Sequence, residues 1–395
     1  MRNLTHAASL VLAAAALAAC AEQPTTPSPL ATGPSLAAAT ACAASPTVVA
    51  STEAALRAAV AAAQPGDVIA ISGTIELATS VAISTPGVTV TCAEPGSGLK
   101  LTEGNTGVLL ELEAGRITIS GLELDAEYAF GAIVAFNVFN QDFSGIRVVG
   151  NQIGCGYTLC VFFVGTTGTQ VTDNHFEGDS TNTGIQFQSP YRNAAGIPLN
   201  PVDGAVIARN VIETEDSYPS SIYGAIRVRD GSNVTIAHNQ IGAGWTGGII
   251  LTNVFDSQVE QNRIDGTLNA GIAVAEIVSL PVSLRGVSFT GNQVSNAGTV
   301  AMSIARACDN VFTGNNVQDN AQGAVFRPST GANVWRGNPG SVQDLGSFDC
   351  DRDGAPDPNV ISGDRASASS AAAPAFSADA APAYGSGTGR AAALQ

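Results

Sequence analysis

The sequence predicts an all-β solenoid, a parallel β-helix, from three observations. Short β-branched runs broken by glycine and asparagine fill the middle of the chain, which is typical of many short strands. An apolar-x-x-Asn pattern recurs there, and several of its asparagines are 23 residues apart. An amphipathic helix precedes these repeats, where a solenoid needs a cap over its open apolar end. Residues 46–348 are therefore the predicted solenoid.

The repeat is an asparagine with a large apolar residue three positions before it and, in most copies, another two positions after it. The repeated asparagines are Asn151, Asn174, Asn210, Asn239, Asn262, Asn292, Asn315 and Asn338. A fixed unit with insertions indicates a solenoid, and the period-two alternation indicates strands, so each repeat is one coil. About ten coils are expected, stacked roughly 4.8 Å apart. Because the asparagines lie between inward apolar positions, we expect their amides to form a buried ladder.

The predicted cap is a helix over residues 52–64, with Thr or Ser as its N-cap and Pro65-Gly66 at its end. The first strand then begins at Asp67. This layout, with "QPGDVI" followed by coils that turn at apolar-x-x-Asn, resembles the pectate-lyase-like β-helix superfamily over residues 46–340. The resemblance implies a right-handed parallel β-helix. It implies little about function, because the fold hosts lyases, hydrolases, epimerases, adhesins and inert spacers.

The N-terminus has the features of an export signal. Arg2 precedes an apolar stretch, residues 7–19, that is too short to span a bilayer. The string Leu17-Ala18-Ala19-Cys20 resembles the bacterial lipobox, which implies cleavage before Cys20 and attachment of lipid to it. An ordinary secretory signal with a chance cysteine is the alternative. Ala21 stands where an aspartate would retain a lipoprotein at the inner membrane, so the resemblance favours the outer membrane or the cell surface.

Composition sets the regions outside the solenoid and the partners to expect. We predict a signal peptide over 1–19, a lipidated cysteine and flexible tether over 20–45, and a disordered tail rich in Ala, Ser and Gly over 360–395. The lipid is the expected membrane contact. The net charge of −16 argues against nucleic acid as a partner, because phosphate binding needs a basic surface.

Six cysteines remain besides Cys20, and an even number in an exported protein indicates disulfides. Six cysteines allow fifteen pairings, among which the sequence does not decide. Proximity along the chain favours Cys42–Cys92, Cys155–Cys160 and Cys308–Cys350. A metal site on these cysteines is disfavoured, since no C-x-x-C pair occurs.

An acidic loop over residues 349–359 follows the predicted solenoid. Its carboxylates are Asp349, Asp351, Asp353 and Asp357. Alternating carboxylates before a glycine can wrap a hard cation, and this string resembles a bacterial thrombospondin type 3 calcium repeat. The resemblance implies a structural calcium ion. The loop departs from an EF-hand at its twelfth position, where Val360 replaces the bidentate glutamate. A solvated acidic turn is the alternative interpretation.

The predicted binding face is a polar stripe on the second strand of neighbouring coils. If Ile185 and Ile226 point inward, the outward polar residues are Gln186, Gln188, Arg227 and Arg229, and Asp230 ends its strand. Long insertions flank the stripe, at 190–204 with Tyr191 and Arg192, at 213–223 and at 277–285. Loops on one face of a solenoid commonly build its binding side, and arginine can pair bidentately with a carboxylate. The amide, arginine and tyrosine side chains among them suit an acidic polysaccharide. The alternative is a surface ion network, in which Asp230, or Glu213 and Asp216, neutralise the two strand arginines.

Catalysis is an open question in the sequence. Lyases of the resembled superfamily use arginine or lysine as base with calcium held by acidic groups, which makes Arg227, Arg229 and Asp230 weak catalytic candidates. No D-x-x-D-x-x-H lyase signature, paired-aspartate motif or G-H-G hydrolase motif occurs. His175 and His238 adjoin ladder asparagines and are assigned to turns.

Two classes of function remain. One is an envelope lipoprotein that binds a polysaccharide, and that as an enzyme would be a polysaccharide lyase, epimerase or glycoside hydrolase. The other is a non-catalytic structural or adhesive surface protein.

Overall fold

The computed structural model describes residues 42–127, 129–137, 141–178, 183–192, 198–214, 224–274 and 282–362. All of them belong to one compact unit, Leu36–Gln395. The predicted signal peptide, Cys20 and almost all of the predicted tether and tail lie outside the described residues. Within these ranges, no helix is long and apolar enough to cross a membrane.

The predicted cap is present as the helix Glu53–Ala62. Its N-cap is Thr52, whose hydroxyl accepts a hydrogen bond from the Ala55 N–H at 3.2 Å. The helix lies against the first strands of the stack, and Leu56 on its inner side is 1% exposed. Arg57 donates to the carbonyl oxygens of Thr79 and Ser80, which ties the helix to the first coil. The helix therefore occupies the place where the apolar interior would otherwise open.

Three parallel sheets run along the stack. The first sheet, in spatial order, has thirteen described strands: Val48–Ala50, Val68–Ile71, Thr89–Cys92, Thr118–Ser120, Arg147–Val149, Gln170–Thr172, Val206–Ala208, Thr235–Ala237, Gln258–Glu260, Ser288–Thr290, Val311–Thr313, Val334–Arg336 and Val360–Ser362. The second sheet has nine: Thr74–Leu77, Gly98–Leu101, Glu123–Asp125, Gln152–Gly154, His175–Glu177, Val211–Ile212, Gln240–Ile241, Arg263–Asp265 and Gln293–Ser295.

The third sheet carries the predicted binding face. Its main path has these strands: Val81–Ile83, Val108–Leu112, Gly131–Phe136, Leu159–Val164, Thr183–Gln188, Gly224–Ser232, Gly247–Phe255, Ala270–Val274, Val300–Ile304, Ala324–Phe326 and Val342–Asp344. Three short strands extend it at one side: Val202–Asp203, Leu284–Arg285 and Ala307–Cys308. From Val68 to Ile304 each coil passes from the first sheet to the second, then to the third, and back to the first one strand further along, whereas the last two described coils have no strand in the second sheet. The predicted parallel β-helix is confirmed.

The asparagine ladder is confirmed at all eight predicted positions. Each of these side chains is at most 2% exposed and lies at the turn between the first and second sheets. Asn239 shows the pattern, because its Nδ2 donates to Asn262 Oδ1 at 2.9 Å and to the Ile207 carbonyl at 2.9 Å. Its Oδ1 accepts from both the backbone N–H and the Nδ2 of Asn210. From Asn151 to Asn338, each coil is thus tied to the next by buried side-chain bonds in addition to the sheet bonds.

A second ladder occurs at another turn, in the last three coils. Asn310 Nδ2 donates to Asn333 Oδ1 at 2.8 Å, and Asn333 Nδ2 donates to Asn359 Oδ1 at 2.9 Å. The sequence analysis missed this ladder, although Asn310 and Asn333 also lie 23 residues apart. The signal in the sequence was an asparagine directly before the valine that begins each of three successive strands of the first sheet.

The disulfides Cys42–Cys92, Cys155–Cys160 and Cys308–Cys350 are all present, as predicted. One boundary was wrong. The range 360–395 was assigned to the tail, yet Val360–Ser362 pairs with Val334–Arg336 as the last strand of the first sheet. The acidic loop separates this strand from the preceding repeat, which explains the error; Ile361 pairs with Trp335 and packs against the core.

Candidate functional site

The outer face of the third sheet presents a polar band between two apolar regions. The register places Phe162 beside Gln186, Gln186 beside Arg227, and Arg227 beside Ile250. We call the four residues Gln186, Gln188, Arg227 and Arg229 the polar band. They alternate with fully buried Ile185, Phe187, Ile226 and Val228, so the predicted outward orientation and the neighbouring position of the two coils are confirmed.

Side chains within the polar band are packed rather than freely extended. Gln186 Nε2 donates to Gln188 Oε1 at 3.0 Å. Arg227 is only 5% exposed although it lies on the outer face, whereas the Arg229 side chain is 30% exposed. Burial of a guanidinium is costly unless its donors are satisfied, so the band is a site of fixed geometry.

A bend shapes one edge of the band. Asp230 and Asn253 have φ values of 61° and 56°, a left-handed conformation that Asp and Asn tolerate better than most residues. Asn253 Nδ2 donates to Asp230 Oδ1 at 2.6 Å, and Asp230 Oδ2 lies 3.7 Å from Arg229 Nε. The strand Gly224–Ser232 continues beyond the bend, so the prediction that it ends at Asp230 was wrong. The neighbouring strand Gly247–Phe255 likewise continues past Asn253.

This bend also determines what the weak catalytic candidates can do. The Asp230 side chain is 2% exposed and is held between Asn253 and Arg229. A carboxylate in that position orients the Arg229 guanidinium. Arg227 and Arg229 lie on one strand, next to the strand with the side-chain amides of Gln186 and Gln188, and the Arg229 guanidinium is the more exposed of the two. This set of donors is suited to holding an anion with hydroxyl groups around it.

Apolar side chains flank the band on the same outer face. On one side Val134, Leu159, Phe162 and Val164 form a cluster, with Phe130 and Val108 packed against it. On the other side the cluster contains Ile250, Ala270, Ala273, Val300 and Val325. Phe136 lies at the edge of the first cluster, 45% exposed, with its ring edge-on to Phe162 at 5.2 Å. The sequence analysis missed both clusters, because alternation assigns outward positions to solvent.

The insertions that flank the stripe are described in part. Tyr191–Arg192 pairs antiparallel with Pro198–Leu199, and Ser189 Oγ donates to the Leu199 carbonyl. Val202–Asp203 then pairs with Gly231 and Ser232, just past the bend. The 190–204 insertion therefore returns to the edge of the polar band. Residues 193–197, 215–223 and 275–281 lie outside the described part of the chain.

A concave surface that was not predicted from the sequence lies on the second sheet. The cavity, about 550 Å³, is lined by Glu123, Asp125, Glu127, Glu177 and Tyr157 among others. Gln152 Nε2 donates to Glu177 Oε1 at 2.8 Å. Its carboxylates give this cleft a charge opposite to that of the arginines in the polar band.

The histidines lie outside the polar band. His238 is exposed in a turn with φ 56°, as predicted. His175 was also assigned to a turn, but it opens the strand His175–Glu177, and its Nε2 lies 3.2 Å from Glu213 Oε2. Asp173 lies in the turn before His175 and accepts a hydrogen bond from Arg209 Nε at 2.6 Å, which lowers the pKa of the Asp173 carboxyl group.

The acidic loop is anchored to the last coils by the Cys308–Cys350 disulfide and by Arg285, which donates to the Cys350 carbonyl at 2.7 Å. Carboxylate oxygens of Asp349, Asp351 and Asp353 lie within 4.8 Å of one another. Gly354 follows them with φ 94°.

Asp357, the fourth predicted ligand, lies outside this group. Its Oδ2 accepts from the Cys350 N–H at 2.7 Å and closes the base of the loop. Three carboxylates converging around one glycine turn fit a hard divalent cation.

The fold is shared with known proteins. The family model described as a right handed beta helix region matches residues 159–339. No curated protein matches the chain by sequence.

Solved structures extend the likeness over most of the chain. A lacto-N-biosidase from Eubacterium ramulus aligns with a TM-score of 0.58 at 12% identity, over 79% of this chain and 63% of that one. An alginate lyase in complex with G6 aligns with a TM-score of 0.52 at 15% identity, over 74% of this chain and 69% of that one. The A-module of mannuronan C-5 epimerase AlgE6 from Azotobacter vinelandii aligns with a TM-score of 0.50 at 14% identity, over 80% of this chain and 94% of that one. The three proteins are named for carbohydrates, and at these identities the likeness concerns architecture. The chain is a right-handed parallel β-helix.

Proposed function

We propose that the chain is a cell-envelope lipoprotein whose polar band binds an acidic polysaccharide. The observation that carries the proposal is the placement of Arg227 and Arg229 on one strand, beside Gln186 and Gln188 on the next. Guanidinium groups bind carboxylates bidentately, and amides bind sugar hydroxyls. A rigid sheet holds all four side chains, so little ordering is left for the ligand to induce.

Two further observations support this site over the cleft on the second sheet. That cleft is lined by four carboxylates, which would repel a polyanion. The polar band is also bordered on both sides by buried, packed apolar clusters, which hold its strands in place. The structural neighbours named for carbohydrates agree in class with a polysaccharide ligand.

Glycan binding can be tested with Arg229→Gln, which removes one charge from the more exposed arginine of the band. On an array of polyuronates and neutral polysaccharides, we expect the wild type to bind a polyuronate and the variant to bind it about tenfold more weakly, a loss of roughly 1.4 kcal/mol. Arg147→Gln is the matched control, because Arg147 is exposed on the outer face of the first sheet. Its binding should equal that of the wild type.

Two results would count against glycan binding. One is a wild type that binds no acidic polysaccharide, which would favour the structural or adhesive role. The other is undiminished binding by Arg229→Gln. A polymer that is shortened, unsaturated or epimerised after incubation with the wild type would add a catalytic activity to the binding.

The acidic loop carries a separate proposal, that Asp349, Asp351 and Asp353 hold a structural calcium ion. A ligand that binds only the folded state stabilises it by about 2.7 kcal/mol at a hundredfold excess over Kd. Calcium should therefore raise the melting temperature of the wild type by several degrees. Asp351→Asn with Asp353→Asn should remove that gain, while keeping acceptors for the Asp353 and Ala355 N–H groups.

The control for calcium is Glu103→Gln with Asp319→Asn, which neutralises two exposed carboxylates elsewhere. It should keep the full calcium-dependent shift. A wild type whose melting temperature does not change in millimolar calcium would show that the loop is a solvated acidic turn.

A further inference from the structure

We infer that Phe136 is a stacking platform for an uncharged sugar face at one end of the binding site, so that the bound polysaccharide crosses the strands of the third sheet. The inference rests on the proposed function. It adds one end of the binding site, the direction of the bound polysaccharide across the sheet, and a restriction on the class of polysaccharide.

Phe136 is held in place while much of its surface stays open. It ends the strand Gly131–Phe136 on the outer face, since fully buried Ile133 and Ala135 occupy the inward positions. Its ring meets the fully buried Phe162 ring edge-on, at 5.2 Å and 84°. It is nevertheless 45% exposed. An exposed phenylalanine with a fixed position provides a rigid apolar surface at little cost in conformational entropy.

The register places Phe136 in the same row as the polar band. Phe136 pairs with Val164, and Val164 pairs with Gln188. Gln188 lies beside Arg229, because the preceding residues Phe187 and Val228 are paired. Phe136 and Arg229 are thus three strands apart, roughly 14 Å at the usual strand spacing.

A polysaccharide that touches both residues must run across the strands. A sugar residue of an extended polymer is about as long as one strand spacing, so the row from Phe136 to Arg229 spans about three sugar residues. A chain lying along a single strand would reach one of these side chains and miss the other.

The two ends of the row differ in chemistry, and this restricts the ligand. Arg229 can pair with a carboxylate, whereas the Phe136 ring can only cover an apolar surface such as the C–H face of a pyranose. The ligand class is therefore a polysaccharide with a uronic acid at one position and an unsubstituted C–H face about three residues away. Bulky substituents on that second sugar should prevent binding.

Chain length separates this arrangement from simple charge attraction. The probes are oligogalacturonates and alginate oligosaccharides of two and six residues, with affinities measured for the wild type and for Phe136→Ala. We expect the variant to bind the six-residue probe about tenfold more weakly and the two-residue probe unchanged, because the short probe fills only the arginine end. Phe136→Trp should restore binding, and Phe136→Leu, which keeps apolar volume without a ring, should not. The leucine variant answers the question if the alanine variant fails to fold.

Tyr157→Ala is the matched control, because Tyr157 is 48% exposed but lines the acidic cleft on the second sheet. It should bind both probes like the wild type. Equal losses for both probe lengths, no loss in Phe136→Leu, or a loss in Tyr157→Ala instead would overturn the inference while leaving glycan binding intact. A wild type that binds neither probe would overturn the proposed function as well.

Discussion

Asn239→Leu is expected to lower the free energy of unfolding by at least about 3 kcal/mol, since each buried polar group left without a partner costs roughly 1–3 kcal/mol. The substitution removes the acceptor of the Asn210 backbone N–H and Nδ2, and the donor to the Ile207 carbonyl. All of these groups are buried in a turn that water does not reach. The leucine side chain would also crowd the tight turn between the first and second sheets.

The measurement is thermal unfolding, monitored as the loss of resistance to protease, and Gln240→Leu is the control. Gln240 is the next residue along the chain, and it opens the strand Gln240–Ile241 on the outer face of the second sheet. Adding leucine there should change stability by less than about 0.5 kcal/mol, which is usual for surface substitutions. Equal melting temperatures for the two variants would contradict the role assigned to the ladder.

Cys20→Ser is expected to move the protein from the membrane fraction to the soluble fraction. Each buried methylene of a lipid contributes about 0.8 kcal/mol, so acyl chains on one cysteine decide membrane retention. Removing the lipid should abolish retention almost completely, as measured by fractionation without detergent.

Ala21→Asp serves as the companion variant, because it keeps Cys20 and changes only the residue that follows it. If the lipobox resemblance holds, it should stay membrane-bound and shift from the outer to the inner membrane. Loss of both variants from membranes would show an effect on export rather than on anchoring. Retention of Cys20→Ser in the membrane fraction would rule out the lipoprotein interpretation.

The interior of the fold could be predicted because it is periodic. An asparagine must find a partner in every coil, so the spacing of Asn239 and Asn262 reveals both the coil length and the turn. Alternation then assigns Ile185, Ile226 and Ile249 to the inside. The strand Val360–Ser362 was missed because an insertion, the acidic loop, interrupts the period just before it.

The candidate site could be predicted only at the level of which residues face outward. The repeat aligns equivalent positions of neighbouring coils, and the position of Gln186 beside Arg227 could therefore be predicted from it. The bend at Asp230 depends on a left-handed backbone and on a hydrogen bond to the next coil, which a strand pattern does not encode. Outward Phe162 is fully buried because it packs in a cluster with Val134 and Val164, which alternation along a single strand does not reveal.

The positions of two disulfides have a consequence for how the molecule comes apart. A linear stack, in which each coil contacts only its neighbours, opens most easily by fraying from its two ends, like a zipper. Cys42–Cys92 ties the segment before the helix to the third strand of the first sheet, and Cys308–Cys350 ties the segment before the last strand to an earlier coil. Both ends of the described stack are thus fastened covalently. A protease would therefore meet a stack of coils whose two described ends are tied, and its weakest points of attack would be the loops at the side of the stack.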